Sequence, residues 1–192
     1  MMTRWMRSFI LAMILVSFSS VSLADELTLQ YFLTKAFSKE EDLSKIEKTE
    51  LLNRIEEVMG QARQINQRLI QEMFSGNTTL PFQEGQFWMS KFKEDEASIG
   101  TGFQQLKLMK ERPLLFAPPV LLYKSLRDLA SNFNAYNNTS HFSSFVGDIG
   151  PELELWADPV FLRLFLLPFL NSKDKETEVK SSPKEKKPNP KK

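Results

Sequence analysis

The sequence predicts an all-α protein: a helical bundle of about four main helices plus short terminal ones, with a cleaved signal peptide before it and a disordered tail after it. Three observations carry this reading. Apolar residues recur at alternating steps of three and four along three separate stretches, which is the spacing of one helix face. No run alternates apolar and polar residues as a half-buried strand would. The two ends differ in composition from everything between them. The three stripes share a period but no residues, so there is no internal repeat.

Residues 1–24 read as a secretory signal peptide. Arg4 and Arg7 form a basic start, Phe9 to Phe18 an apolar run, and Ser22 and Ala24 the small residues of a cleavage site. The apolar run is about ten residues, half of the roughly 20 a membrane span needs. The helical domain is expected over 25–171, and no transmembrane span is expected in the mature chain.

Within it, Asp25 to Ser38 reads as a short helix with Leu27, Tyr31, Phe32, Leu33 and Phe37 at helical spacing. Ser38 and Glu41 then fit a capping box, in which each end of a Ser-x-x-Glu unit bonds the backbone of the other. The helix predicted from there runs to Phe74. Its stripe is Leu51, Ile55, Val58, Ala62, Ile65 and Leu69, flanked by Leu52, Met59 and Ile70, with Gly76 as its stop. A third helix starts at Pro81 or Phe82 and follows Trp88, Phe92, Glu96, Ile99, Phe103 and Leu106. Gly100 and Gly102 mark a kink, a close crossing or a split there. Three prolines make Glu111 to Pro119 a connection, with Leu114, Leu115 and Phe116 expected in the core. Pro119 opens a fourth helix through Leu122, Leu126, Leu129, Phe133 and Tyr136. His141 to Asp158 reads as a linker. Asp158 and Pro159 then cap a last, almost wholly apolar helix that Pro168 breaks.

Residues 172–192 contain one apolar residue and three prolines, too little to offset the entropy of ordering, and are expected to be disordered. Charge divides at the same point. Residues 25–171 carry 15 Lys and Arg against 20 Asp and Glu, a net of −5, while 172–192 carry 8 Lys against 4 acids, a net of +4. The tail is therefore expected to make weak electrostatic contact with anionic surfaces.

No cysteine is present, which removes thiol chemistry, Cys-based metal sites and a lipidated cysteine after the signal. A cysteine-free exported chain suits a bacterial periplasm, where the sequons at Asn77, Asn137 and Asn138 carry no meaning. The single histidine, His141, lies in a polar segment and cannot build a histidine metal cluster. Ser140, Ser143 and Ser144 beside it define no triad. The Gly100-Thr101-Gly102 unit lacks the rest of a phosphate loop, and Asp148 to Glu154 lacks calcium-loop spacing. No catalytic, cofactor-binding or metal-binding residue is named, and no cofactor is expected.

The function expected is that of an exported, non-enzymatic helical protein that binds another protein or an envelope component. Its partner-contact surface is placed on the last helix, at Phe161, Leu162, Phe165, Leu166 and Phe169. The rival is a small hydrolase of envelope glycan or lipid. Its carboxylates would come from Glu94, Asp95 and Glu96, or from Glu152 and Glu154 beside Trp156, since glycosidases pair acids with aromatic rings.

Overall fold

The computed structural model describes residues 27–38, 42–75 and 81–172. The signal segment, Glu41, Gly76, Asn77 and the tail beyond residue 172 lie outside the described residues. Among those described, every regular element is a helix. α1 is Leu29–Phe37, α2 Lys45–Ser75, α3 Phe82–Glu111, α4 Ala117–Asn137 and α5 Ser143–Val146. α6 starts as an α-helix over Ile149–Leu155, widens into a π-helix over Trp156–Leu166, and returns to α geometry over 167–172.

α2, α3, α4 and α6 form a closed ring of neighbours, each running against the last. The register of each pair is set by named contacts. Asn66 Nδ2 of α2 donates to the Phe92 carbonyl of α3, and Lys110 of α3 reaches back to Glu56 and Asn53. Tyr123 and Arg127 of α4 both hold Asp158 of α6, and further along Phe116 meets Phe169. α1 lies along α6, with Phe32 on Trp156 and the Arg163 guanidinium over Phe37.

The α2 and α4 stripes face the core as their spacing predicts. Leu51, Ile55, Val58, Ala62 and Leu69 are buried on one, and Leu122, Leu126, Leu129, Phe133 and Tyr136 on the other. The α3 stripe is offset from the predicted one. Its buried positions are Phe92, Asp95, Ile99, Gly102, Gln105, Leu106 and Met109, while Glu96 is exposed and Phe103 half-buried under Arg63. A carboxylate, a glycine and a side-chain amide occupy three core positions, and none registers in an apolar pattern. α3 is neither split nor interrupted. Gly102 is a close crossing: a Cβ there would stand 2.2 Å from Met59 Cε of α2.

Four further expectations are corrected. α2 starts at Lys45, because the Ser-x-x-Glu signature occurs twice between residues 38 and 47 and the second copy forms the box. The Ser44 amide donates to Glu47 Oε2 at 2.7 Å, and the Glu47 amide to Ser44 Oγ at 3.2 Å. Ser38 instead closes α1, its hydroxyl donating to the Lys35 carbonyl. α4 begins at Ala117, with Pro118 and Pro119 both in its first turn.

The last helix begins not at Asp158 but at Ile149, because Pro151 sits in a first turn where a missing N–H leaves no helical bond unmade. Asp158 and Pro159 are interior. Pro168 does not end it either. An interior proline lacks the donor for the carbonyl four residues back and crowds that carbonyl. The widened segment, whose bonds run five residues back as from the Leu167 amide to the Leu162 carbonyl, contains Pro159, and Pro168 follows just past it where the helix returns to α geometry.

The fourth correction concerns the connection. Leu114, Leu115 and Phe116 are exposed, not in the core. They cross the end of the bundle between α3 and α4, where only Phe116 meets another ring, that of Phe169.

Candidate functional site

The predicted contact residues on α6 divide. Phe161 and Leu166 are buried, while Leu162, Phe165 and Phe169 are half-buried. Phe161 and Phe165 stack with ring centroids 5.2 Å apart. α1 covers one side of this helix and α4 another, which accounts for its lack of a polar face.

Exposed apolar surface gathers instead at the end of the bundle beside it. Leu114 is 74% exposed and Phe116 57%, with Leu115, Leu121 and Leu167 also open. Phe116 lies against Phe169, which joins the connection to the last turns of α6. Phe37 (67% exposed), where α1 finishes, and Ile46 (78%), where α2 begins, are exposed as well. Lys45, Lys48, Arg112 and Arg163 are exposed, and so are Asp42 and Glu111. Arg163 sits 5.0 Å over the Phe37 ring, an aliphatic stem and cation packed on an aromatic face. The described chain leaves this end at Ser172, three residues past Phe169. At the opposite end Phe74, Phe82 and Phe87 are exposed on either side of residues 76–80.

The carboxylates of the hydrolase reading go separate ways. Asp95 is buried between α3 and α4, accepting from Tyr136 Oη at 2.5 Å and Asn132 Nδ2 at 2.7 Å. Burial pushes its pKa up to about 6, against the opposing pull of those two hydrogen bonds. The same burial, with Asp95 beside it, raises the Tyr136 hydroxyl. Rings close over the pair: Trp88, Phe92 and Phe142 all pack edge-on against Tyr136. Glu94 pairs with Lys91 at the surface. Glu96 edges a cleft of about 340 Å³ between α2 and α3, together with Arg63, Asn66, Gln67, Ile99 and Gly100. Glu152 accepts from Trp156 Nε1 at 3.4 Å, and Glu154 takes Asn134 at 3.2 Å and Arg127 at 3.7 Å. Neither group brings two acids to one reacting position. His141 is exposed beside Phe142.

Among the described residues no His, Cys, Asp and Glu group could hold a metal ion, and no helix is long and apolar enough to cross a membrane. No family model matches the chain, and neither a curated protein nor a solved structure is similar to it.

Proposed function

We propose that the protein is an exported, non-enzymatic binding protein of the cell envelope, which acts through the apolar end of its bundle rather than through a catalytic cleft. The observation that supports this most directly is the run Leu114, Leu115 and Phe116, exposed together on the α3–α4 connection. Exposed apolar groups scattered singly are ordinary, but consecutive ones that join further apolar residues across the end of a bundle form the kind of patch that usually contacts a partner. Export rests on residues 1–24, and the envelope on export without a membrane-spanning helix among the described residues.

The test is fractionation of the host cell. The wild-type chain is expected in the envelope fraction, and a Leu114→Ser, Phe116→Ser variant in the soluble one, with unchanged circular dichroism because neither side chain supports the core. Equal retention of both chains in the envelope would overturn the reading.

A further inference from the structure

We infer that the cleft between α2 and α3 is a binding site for a small α-amino acid in its zwitterionic form, with the carboxylate on Arg63, the ammonium on Glu96 beside the Asn66 carbonyl, and an apolar side chain against Ile99. The site is separate from the apolar end and does not depend on the role proposed for that end.

The two helices make the cleft by meeting on either side of it. At one end Asn66 Nδ2 donates to the Phe92 carbonyl at 2.9 Å. At the other the Arg63 guanidinium lies 4.0 Å over the Phe103 ring, and Gly102 comes up against Met59. Between these contacts stands Gly100, where a Cβ would meet nothing within 4 Å. The space left is about 340 Å³, at the lower end of the roughly 300–1,000 Å³ typical of ligand sites. It suits one small molecule.

The two ends of the cleft differ in character. Asn66 is only 2% exposed, and its Oδ1 is buried with no hydrogen-bond partner among the described residues. Buried polar groups nearly always have a partner, so this atom favours an entering donor. The Asn66 amide reaches the turn of α3 that runs from Phe92 to Glu96. The unpaired carbonyl and the Glu96 carboxylate therefore make that end an acceptor of N–H groups. At the far end, stacking on Phe103 holds the Arg63 guanidinium by its face and leaves its N–H edge for the two oxygens of a carboxylate.

Arg63 and Glu96 line one cleft with opposite charge, and neither has an ion-pair partner among the described residues. A simple anion is opposed by Glu96 and a simple cation by Arg63, whereas a zwitterion answers both. A sugar is held best on an open aromatic face, and here Arg63 covers the ring. Ile99 supplies the apolar wall for the ligand's side chain.

The experiment is titration calorimetry of the whole chain with leucine, with leucinamide, which keeps only the ammonium, and with N-acetyl-leucine, which keeps only the carboxylate. Saturable binding of leucine is expected, with both analogues weaker by about tenfold or more, the effect of losing one charge-assisted hydrogen bond. Glu96→Gln and Arg63→Gln should each weaken leucine by about the same factor. Gly100→Leu fills the cleft and should abolish binding with circular dichroism unchanged. No saturable binding of leucine overturns the inference, and so does equal binding of the three probes. A Gly100→Leu chain that folds and still binds places the ligand elsewhere and also overturns it. If that variant fails to fold, the two exposed positions decide: full leucine affinity in both Glu96→Gln and Arg63→Gln overturns the site.

Discussion

Asp95 accepts a 2.5 Å hydrogen bond from the Tyr136 hydroxyl inside the core, across the α3–α4 crossing. The carboxylate is buried, and its pKa is lifted to about 6, chiefly by loss of water. Below about pH 4 the folded and unfolded chains both carry this proton, and its penalty is absent. Between about pH 4 and 6 the folded chain holds the proton more tightly than the unfolded one, so stability falls as pH rises through that window and stays lower above it. Asp95→Asn keeps an acceptor for Tyr136 and has no charge to bury. It is expected to be more stable than wild type at pH 8 by about 1–3 kcal/mol, on the scale of about 1.4 kcal/mol per pKa unit. Urea unfolding at pH 4 and pH 8 measures this. A less stable variant at pH 8 would show that the ionised network is favourable as built.

Glu47 supplies the opposite limb. Lys35 above all, then Ser44 and Tyr31, hold its carboxylate down to about 2. Its contribution is present above the ordinary glutamate range and is lost as pH falls from about 4 through 2. The side chain also closes the capping box of α2 and ties α1 to it. Glu47→Gln is expected to lower stability by about 1 kcal/mol at pH 7. It should also flatten the acid limb of a stability profile recorded from pH 2 to 5. With Asp95 acting above pH 4 and Glu47 below it, the wild-type maximum is expected near pH 4 to 5.

Two glycines of α3, two residues apart, should respond with opposite signs. A Cβ on Gly102 would stand 2.2 Å from Met59 Cε and 2.9 Å from its Sδ. A thioether can swing aside, so Gly102→Ala is expected to cost about 1–3 kcal/mol, as overpacking does. Gly100 has nothing within 4 Å of such a Cβ. There alanine removes only the entropic disadvantage of glycine in a helix, and Gly100→Ala should gain up to about 1 kcal/mol. Thermal unfolding of both variants decides it, and a loss at Gly100 would mean that the cleft beside it needs the bare backbone.

The bundle was legible in the sequence because its faces are written in apolar side chains at helical spacing. Leu122 through Tyr136 landed in the core without exception. What was missed does not register in such a pattern. Asp95 and Gly102 lie inside because Tyr136, Asn132 and Met59 stand opposite them, a fact about another helix. Leu114 to Phe116 look like core by composition, yet they fall on a connection across the end of the bundle, where the four packed helices leave nothing to cover them. Pro159 read as a start and Pro168 as a break because spacing does not reveal that the turn widens over Trp156–Leu166. The contact surface expected on α6 and the exposed end therefore overlap only at their edge, through Phe169 against Phe116.

That division of α6 can be tested on two stacked rings. Phe161 is buried and Phe165 half-buried, on neighbouring turns of the widened segment. Removing a buried phenylalanine loses its transfer energy and leaves a cavity, so Phe161→Ala is expected to cost about 3–5 kcal/mol. Phe165→Ala removes a ring already in partial contact with water and should cost less than half as much. Phe116→Ala, on the exposed connection, should fall within about 0.5 kcal/mol of wild type, as surface substitutions do. Chemical denaturation ranks the three directly. A loss at Phe116 as large as that at Phe161 would mean that the apolar end is part of the core in solution, and the binding role assigned to it would go with it.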